Sequence, residues 1–263
     1  MLKFAVIGHP VAHSLSPAIH AANFRALGID ASYGAFDFAP EALADGVARL
    51  VLDGYAGFNV TVPHKRAMVD LVALSESAAR YLAVNTVKVE RDGTMRGYNT
   101  DVDGFLDDLA ANGFGIRGSR VLVMGAGGAG SAVARGCLEA GALDVTIANR
   151  TPRDGMLPLG SELCRRIAED ADLVVNATSV GLRPDDPAPI EVKFSPRQTV
   201  YDLAPVRWTT AIVKSAREAG AKALSGHGML VRQAARAFAI WTGMEADVEA
   251  MFEGLRRELD RGA

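Results

Sequence analysis

Cysteine is nearly absent from this chain of 263 residues. The two that occur, Cys137 and Cys164, can build neither a disulfide framework nor a four-thiolate zinc site, so a reducing compartment, the cytoplasm, is the expected setting. Long apolar runs are missing too. No stretch approaches the roughly 18–20 residues that a membrane span needs, and segment 1–7 is too short for a signal-peptide core before Gly8, His9 and Pro10 interrupt it. There is no basic excess: 28 Lys and Arg stand against 31 Asp and Glu, a net charge of −3, which argues against nucleic acid or a membrane surface as partner. The five histidines show no metal pattern, since the helical spacing of His9 and His13 is broken by Pro10, and no metal is expected. The 27 glycines gather at turns without a period, which excludes collagen-like and low-complexity chains. What is there is the make-up of a folded globular protein: 49% hydrophobic and 22% charged residues, over a length between one and two ordinary domains.

Short apolar or β-branched runs alternate with amphipathic stretches almost throughout, the mark of βαβ units and a mostly parallel sheet. In the first hundred residues the spacing predicts strands at 3–7, 32–38, 57–62 and 84–90, with helices between them. A helix at 16–27 is punctuated by Ser16 as cap, Pro17 and Gly28. Arg91-Asp92-Gly93-Thr94 reads as a hairpin turn into 95–98, and Thr100 as the cap of a helix running to 111. A second series starts after Gly118, with strands at 120–124, 144–149, 172–176 and 199–202 and helices to 140, at 161–169 and at 209–219. Helices at 229–241 and 245–259 end the chain.

The strand at 120–124 runs straight into Gly125-Ala126-Gly127-Gly128-Ala129-Gly130, which opens a helix. Glycines there let the backbone turn tightly and approach a pyrophosphate, whose charge rests on the helix N-terminus. This predicts a Rossmann-type doubly wound parallel sheet. No Lys-Ser/Thr pair follows, so a nucleoside-triphosphate loop is excluded. The next strand ends in Asn149-Arg150-Thr151, with Arg153 beyond and no carboxylate until Asp154. A guanidinium suits a 2′-phosphate as a carboxylate suits a 2′-hydroxyl, and NADP is favoured over NAD.

Four segments of the first half carry more polar residues than strand ends need: His13-Ser14-Leu15-Ser16-Pro17, Asn59-Val60-Thr61-Val62-Pro63-His64-Lys65, Val84-Asn85-Thr86 and Asn99-Thr100-Asp101. Ser14 and Ser16, beside a helix N-terminus, suit a carboxylate. Thr61 and Asn85 offer donors and acceptors to an alcohol. Lys65 and Asp101 can pair, one moving a proton and the other orienting it. Gln233 flanks an apolar helix face (Met229, Leu230, Ala234, Phe238, Trp241) and is read as pointing inward; Phe238, Ile240 and Trp241 read as core. Each residue also has a plainer reading: a surface lysine, a first-turn aspartate, a cap.

Taken in order, these motifs resemble the shikimate dehydrogenase family over nearly the whole chain. They are Gly8-x-Pro10-x-x-His13-Ser-x-Ser-Pro17, Gly57-Phe-Asn-Val-Thr-Val-Pro-His-Lys65, Ala83-Val-Asn-Thr86, Asn99-Thr-Asp101 with Gly104-Phe105, the Gly125 loop, Asn149-Arg-Thr151, Asn176-Ala-Thr-Ser179 and Gly226-x-Gly-Met-Leu-x-x-Gln233-Ala. The resemblance implies reduction of 3-dehydroshikimate with NADPH in aromatic amino acid biosynthesis. It implies that Ser14, Ser16, Thr61, Asn85, Asp101 and Gln233 hold the substrate and that Lys65 is the acid/base. Glu76, residues 125–130, Asn149, Arg150, Thr151, Arg153, Leu203 and Gly226 would flank the cofactor. Residues 1–101 would form a substrate-binding domain that helices at 236–263 rejoin, and 102–235 a dinucleotide domain.

Two departures qualify this. Where the family shows a second tyrosine after Tyr201-Asp202-Leu203-Ala204, this chain has Pro205, which has no side-chain donor for a substrate carboxylate. That leaves quinate, aminoshikimate or another cyclitol acid open as substrate. Segment 151–171 is short for a full half of the doubly wound sheet, predicting truncation at one edge. A sensor that binds NADP without turnover, and a folate-type dehydrogenase of similar plan, are the readings of other classes. The paired Lys65 and Asp101 argue against the sensor, and the Ser14/Ser16 cradle against the folate enzyme. The sequence leaves the oligomeric state open.

Overall fold

The fold is described from a computed structural model covering residues 1–261. Gly262 and Ala263, the end of the expected C-terminal helical segment, lie outside the described residues. The chain divides into two compact units, Met1–Asp101 with the chain from Val231 onward, and Val102–Leu230.

The first unit opens with β1 (Leu2–Gly8), α1 (Ser16–Ala26), β2 (Ala31–Asp37), α2 (Leu43–Leu52), β3 (Gly57–Val60), β4 (Ala73–Leu74), α3 (Glu76–Tyr81), β5 (Thr86–Val89) and β6 (Met95–Tyr98). Its sheet is mixed, in the order β2-β1-β3-β5-β6-β4, with β5 antiparallel to both β3 and β6. β3 stops at Val60, two residues before the predicted end, because Pro63 has no amide to extend the ladder and the chain turns with His64 N–H donating to the Thr61 carbonyl. Ser16 is the first helical residue rather than the cap. The capping position is Leu15, and the Ser14 hydroxyl instead accepts the Ser16 amide at 3.3 Å.

The second unit contains α4 (Asp101–Ala111), whose first residue belongs to the first unit, then β7 (Arg120–Met124), α5 (Gly128–Glu139), β8 (Asp144–Asn149), β9 (Leu157–Pro158), α6 (Glu162–Asp170), β10 (Leu173–Asn176), β11 (Thr199–Asp202), α7 (Ala211–Glu218) and β12 (Lys222–Ser225). All six strands are parallel, ordered β12-β11-β10-β7-β8-β9. The predicted truncation is therefore corrected. The sheet keeps its sixth strand, and what is missing is a helix between β8 and β9, which are joined by residues 150–156 alone. Alternation along β7 explains the layering. Leu122 and Met124 face one apolar cluster with Ala168 of α6 and Ile212 of α7, while Val121 and Val123 face another with Phe105 and Leu109 of α4 and Val133 of α5.

The chain ends with α8 (His227–Thr242) and α9 (Val248–Asp260). The division between the units falls inside α8, at Val231 rather than at residue 236. α9 packs on α1, and a Cβ on Gly254 would sit 2.7 Å from the Ala18 carbonyl, so only glycine permits that approach. Trp241 of α8 stacks on Phe4 at 4.8 Å and donates its indole N–H to the Val87 carbonyl at 2.9 Å. Phe238 is buried as expected, and Ile240 half-buried.

Candidate active site

In the first unit the polar segments converge at the carboxyl ends of β1 and β3. These strands are parallel neighbours, with Ile7 opposite Val60. Thr61, half-buried, begins the turn that delivers Lys65, and the Lys65 carbonyl accepts the Val84 amide at 2.8 Å, tying this turn to the segment before β5. Lys65 Nζ donates to Asp101 Oδ2 at 2.7 Å. Its side chain keeps 31% of its exposure and that of Asp101 15%, so the pair is sheltered yet open to proton exchange with solvent. The other carboxylate oxygen, Oδ1, accepts Asn85 Nδ2 at 2.8 Å, and the Asp101 amide donates to Asn99 Oδ1 at 3.0 Å. The carboxylate is thus held on both sides. That leaves the ammonium two further N–H groups to aim at a ligand.

Asn85 is the hub. It is buried, its Oδ1 accepts the Thr100 amide at 2.8 Å, and its Nδ2 also faces Thr100 Oγ1 at 3.0 Å and Gln233 Oε1 at 3.3 Å. Thr100 stands directly before α4, where the cap was expected, and its hydroxyl also joins this network, donating to the Gln233 carbonyl at 3.1 Å. Gln233 points inward and is buried. Ser14 and Ser16 lie at the start of α1, half-buried and buried respectively. Among the described residues no hydrogen bond joins them to Lys65, Asp101 or Asn85. His64 turns away from its neighbour and bonds the Phe38 carbonyl at 2.7 Å.

Three further residues were missed as site residues from sequence. Asn59 Nδ2 donates to the Asn85 carbonyl and to Thr86 Oγ1, both at 3.1 Å, and Tyr33 donates to Asn59 Oδ1 at 2.7 Å. Thr86 in turn donates to Asn85 Oδ1 at 3.0 Å. Asn59 and Thr86 stood inside the polar segments already noticed. Tyr33, 26 residues from Asn59 in an alternating strand, gave no signal. Burial keeps the Tyr33 hydroxyl protonated by pushing its pKa well above the usual value, so it stays a donor.

In the second unit the glycines of the 125–130 loop divide the work. Gly125 has φ +102°, and a Cβ there would meet the Ala177 carbonyl at 2.7 Å; a Cβ on Gly130 would lie 2.1 Å from the Gly125 carbonyl. Those two pack the turn. Gly127 and Gly128 face open space, are exposed, and lead into α5, whose first turn no side chain caps. The loop, with Ala126 and Ala129, thus leaves room and amide donors for a pyrophosphate. Its neighbour is the turn after β8, since the Gly125 amide donates to the Ala148 carbonyl at 2.8 Å. There Asn149 Nδ2 bonds the Thr151 carbonyl at 2.9 Å, shaping a turn on which Arg150, Thr151 and Arg153 are exposed. This donor set fits a phosphate-bearing dinucleotide.

Leu203 follows β11, and Gly226 precedes α8. A Cβ on Gly226 would lie 2.2 Å from the Leu203 carbonyl, so these two backbones touch. Asp202 is buried and accepts from Thr210, Asn176 and the Ala204 amide; burial raises its pKa, against those hydrogen bonds. Glu76, expected at the cofactor, is an exposed first-turn residue of α3 in the first unit, ion-paired with Arg80. Pro205 is exposed. Cys137 and Cys164 are buried, and burial pushes the Cys137 thiol up to about 12, so both are packing residues. Among the described residues no cluster of His, Cys, Asp and Glu could hold a metal ion, and no helix is long and apolar enough to cross a membrane.

Residues 6–87 match the family described as the shikimate dehydrogenase substrate binding domain, and residues 226–251 the shikimate 5′-dehydrogenase C-terminal domain. A shikimate dehydrogenase (NADP(+)) of Nitrosopumilus maritimus is 41% identical, over 96% of this chain and 97% of its own. One from Thermus thermophilus is 44% identical, over 98% and 99%. The crystal structure of a Thermus thermophilus shikimate 5-dehydrogenase in complex with NADP(H) and shikimate superposes with a TM-score of 0.88 at 40% identity, over 98% of this chain and all of that one. With this likeness running the length of both units, the chain belongs to the shikimate dehydrogenase family.

Proposed function

We propose that this protein is an NADP-dependent shikimate dehydrogenase, reducing 3-dehydroshikimate reversibly to shikimate. The observation that carries the reading is the 2.7 Å Lys65–Asp101 pair locked to Asn85. An isolated surface ion pair contributes little and needs no such scaffold. The chemistry NADP(H) supplies when bound is a hydride given to the ketone carbon in reduction, or taken from the carbinol carbon in oxidation. Lys65 donates the proton that the developing alkoxide needs and takes it back in oxidation, while Asp101 holds the ammonium in line. Asn85, Thr61 and Gln233 bind the ring hydroxyls, and Ser14 with Ser16 the carboxylate at the start of α1. Residues 1–101, with the C-terminal helices, are the substrate-binding unit. Residues 102–230 bind NADP through the 125–130 loop, with Arg150 and Arg153 on the 2′-phosphate and Leu203 and Gly226 at the nicotinamide. Glu76 is kept as a cofactor residue on the family likeness alone. Two buried, unpaired thiols suit work in the cytoplasm.

Pro205 favours one second reading, a preference for quinate or another cyclitol acid, because it offers no donor to the acid's carboxylate. Turnover of shikimate and quinate side by side, each with NADP and with NAD, decides between them. The proposal expects shikimate with NADP to be fastest. A faster rate with quinate passes the reading to the second, and binding without any change in absorbance at about 340 nm removes both.

A further inference from the structure

The second unit holds a buried polar contact that the reaction does not use. Asp108 of α4 and Tyr201 of β11 are 4% and 0% exposed. Tyr201 donates its hydroxyl hydrogen to Asp108 Oδ2 at 2.7 Å, and its own hydroxyl oxygen accepts the backbone N–H of Met229 at 3.2 Å. Met229 lies in the first turn of α8, where orphan amides need acceptors. Gly228, beside it, has no side chain, and a Cβ there would overlap the Asp108 carboxylate at 2.1 Å. The carboxylate therefore sits directly against the start of α8, where the helix dipole favours negative charge. The Tyr201 ring is fixed edge-on against Phe105 at 4.9 Å.

Two backbone segments are held by this one contact. Leu203 stands two residues after Tyr201. Gly226 stands three before Met229 and, through its carbonyl, accepts the Leu230 amide at 2.9 Å. These are the segments that touch where a Gly226 Cβ would meet the Leu203 carbonyl. We infer that Asp108 and Tyr201 are positioning residues for the nicotinamide half of the dinucleotide, clamping the Leu203 and Gly226 backbones in register without touching the ligand. The inference rests on the proposed placement of the nicotinamide at Leu203 and Gly226.

Affinity measured by calorimetric titration, which needs no turnover, tests it. NADP reads the whole site. Adenosine 2′,5′-bisphosphate reads only the end served by the 125–130 loop, Arg150 and Arg153. Tyr201→Phe keeps the ring and its packing on Phe105 while removing the shared hydroxyl. It is expected to weaken NADP about tenfold, the scale of one buried hydrogen bond to a charged group, and to leave the bisphosphate within about twofold. Gly228→Ala should do the same by pressing a methyl on the carboxylate. In Asp108→Ala/Gly228→Ala the loss should not exceed that of Asp108→Ala alone, because the overlap is gone. Equal weakening of NADP and bisphosphate, unchanged NADP affinity, or additive losses in the double variant would each overturn the clamp. A wild-type protein that turned over no cyclic acid, yet lost NADP selectively in Tyr201→Phe, would overturn the substrate reading and leave the clamp standing.

Discussion

The role proposed for Lys65 depends on its setting. Its carboxylate partner is gripped by Asn85, and Asn85 by Thr100, Thr86 and Gln233, so the ammonium is presented in one orientation. Truncating it in Lys65→Ala should lower kcat by about 10²–10⁴-fold and move the KM for shikimate far less; steady-state rates at saturating NADP check this, and an unchanged kcat would strip Lys65 of its role. Asp101→Asn should lower kcat in the same assay by loosening the ammonium. His20 yields a prediction about stability instead. It is fully buried between Tyr33, stacked on it at 4.4 Å, and Trp241, and neither ring nitrogen has a hydrogen-bond partner among the described residues. Burial lowers its pKa from 6.5 to about 3. The folded protein therefore refuses a proton that the unfolded chain accepts below pH 6.5, and stability falls as the pH drops from there towards 3. At pH 5 the loss from this residue amounts to about 2 kcal/mol. Urea unfolding at pH 7.5 and pH 5 should show His20→Phe, which keeps the stack, losing that much less than the wild type. Identical losses would mean that the imidazole is protonated where it stands.

Short elements set both the local strain and the limit of what the sequence discloses. α3 ends at Leu82, which caps it in the left-handed region at φ 47°, ψ 44°, with 61% of its surface exposed. A leucine there incurs the Cβ penalty of about 1–2 kcal/mol and gains little from burial. Leu82→Gly should raise stability by about 0.5–1 kcal/mol, part of the relief being offset by the entropy of glycine in the unfolded chain. A denaturant midpoint that fell would show that the leucine is held by a contact worth more than the strain. α3 was expected only as a helix somewhere between the strands at 57–62 and 84–90, and its bounds went unread because six residues give less than two helical turns of period. β4 and β9, two residues each, cannot show alternation, and missing β9 made the second sheet look cut short. The longer elements were legible: β1, β7 and β8 as apolar or β-branched runs, and the 90–94 turn by Asp92, which accepts from both Thr94 N–H and Oγ1–H, and by Gly93 at φ +83°. Lys65, Asp101 and Asn85 were legible as residue types. That one amide would serve Asp101, Thr100 and Gln233 together was not, because Gln233 lies 148 positions from Asn85.

At the scale of the molecule, the residues proposed for the substrate come from four stretches of chain spread from Ser14 to Gln233 yet belong to one unit, while those proposed for the dinucleotide from Gly125 onward belong to the other. Each unit has its own apolar core, the first around Ile7, Phe58 and Met68, the second on both faces of β7 and β10. A ligand that binds the folded state alone stabilises it by about 2.7 kcal/mol at a hundred times its Kd, and most of that reaches the hydrogen bonds nearest to it. Hydrogen exchange should therefore separate the two ligands. NADP should slow the amides of 125–131 and 149–153. Shikimate should slow 14–16, 59–65, 85–101 and 231–235 together, although no two of these stretches adjoin in sequence. The Arg150→Ala/Arg153→Ala variant should lose the NADP pattern at a concentration that protects the wild type and keep the shikimate pattern. Protection of the 125–131 amides by shikimate alone would reverse the assignment of the units, since the loop between β7 and α5 would then be holding the acid rather than the phosphates.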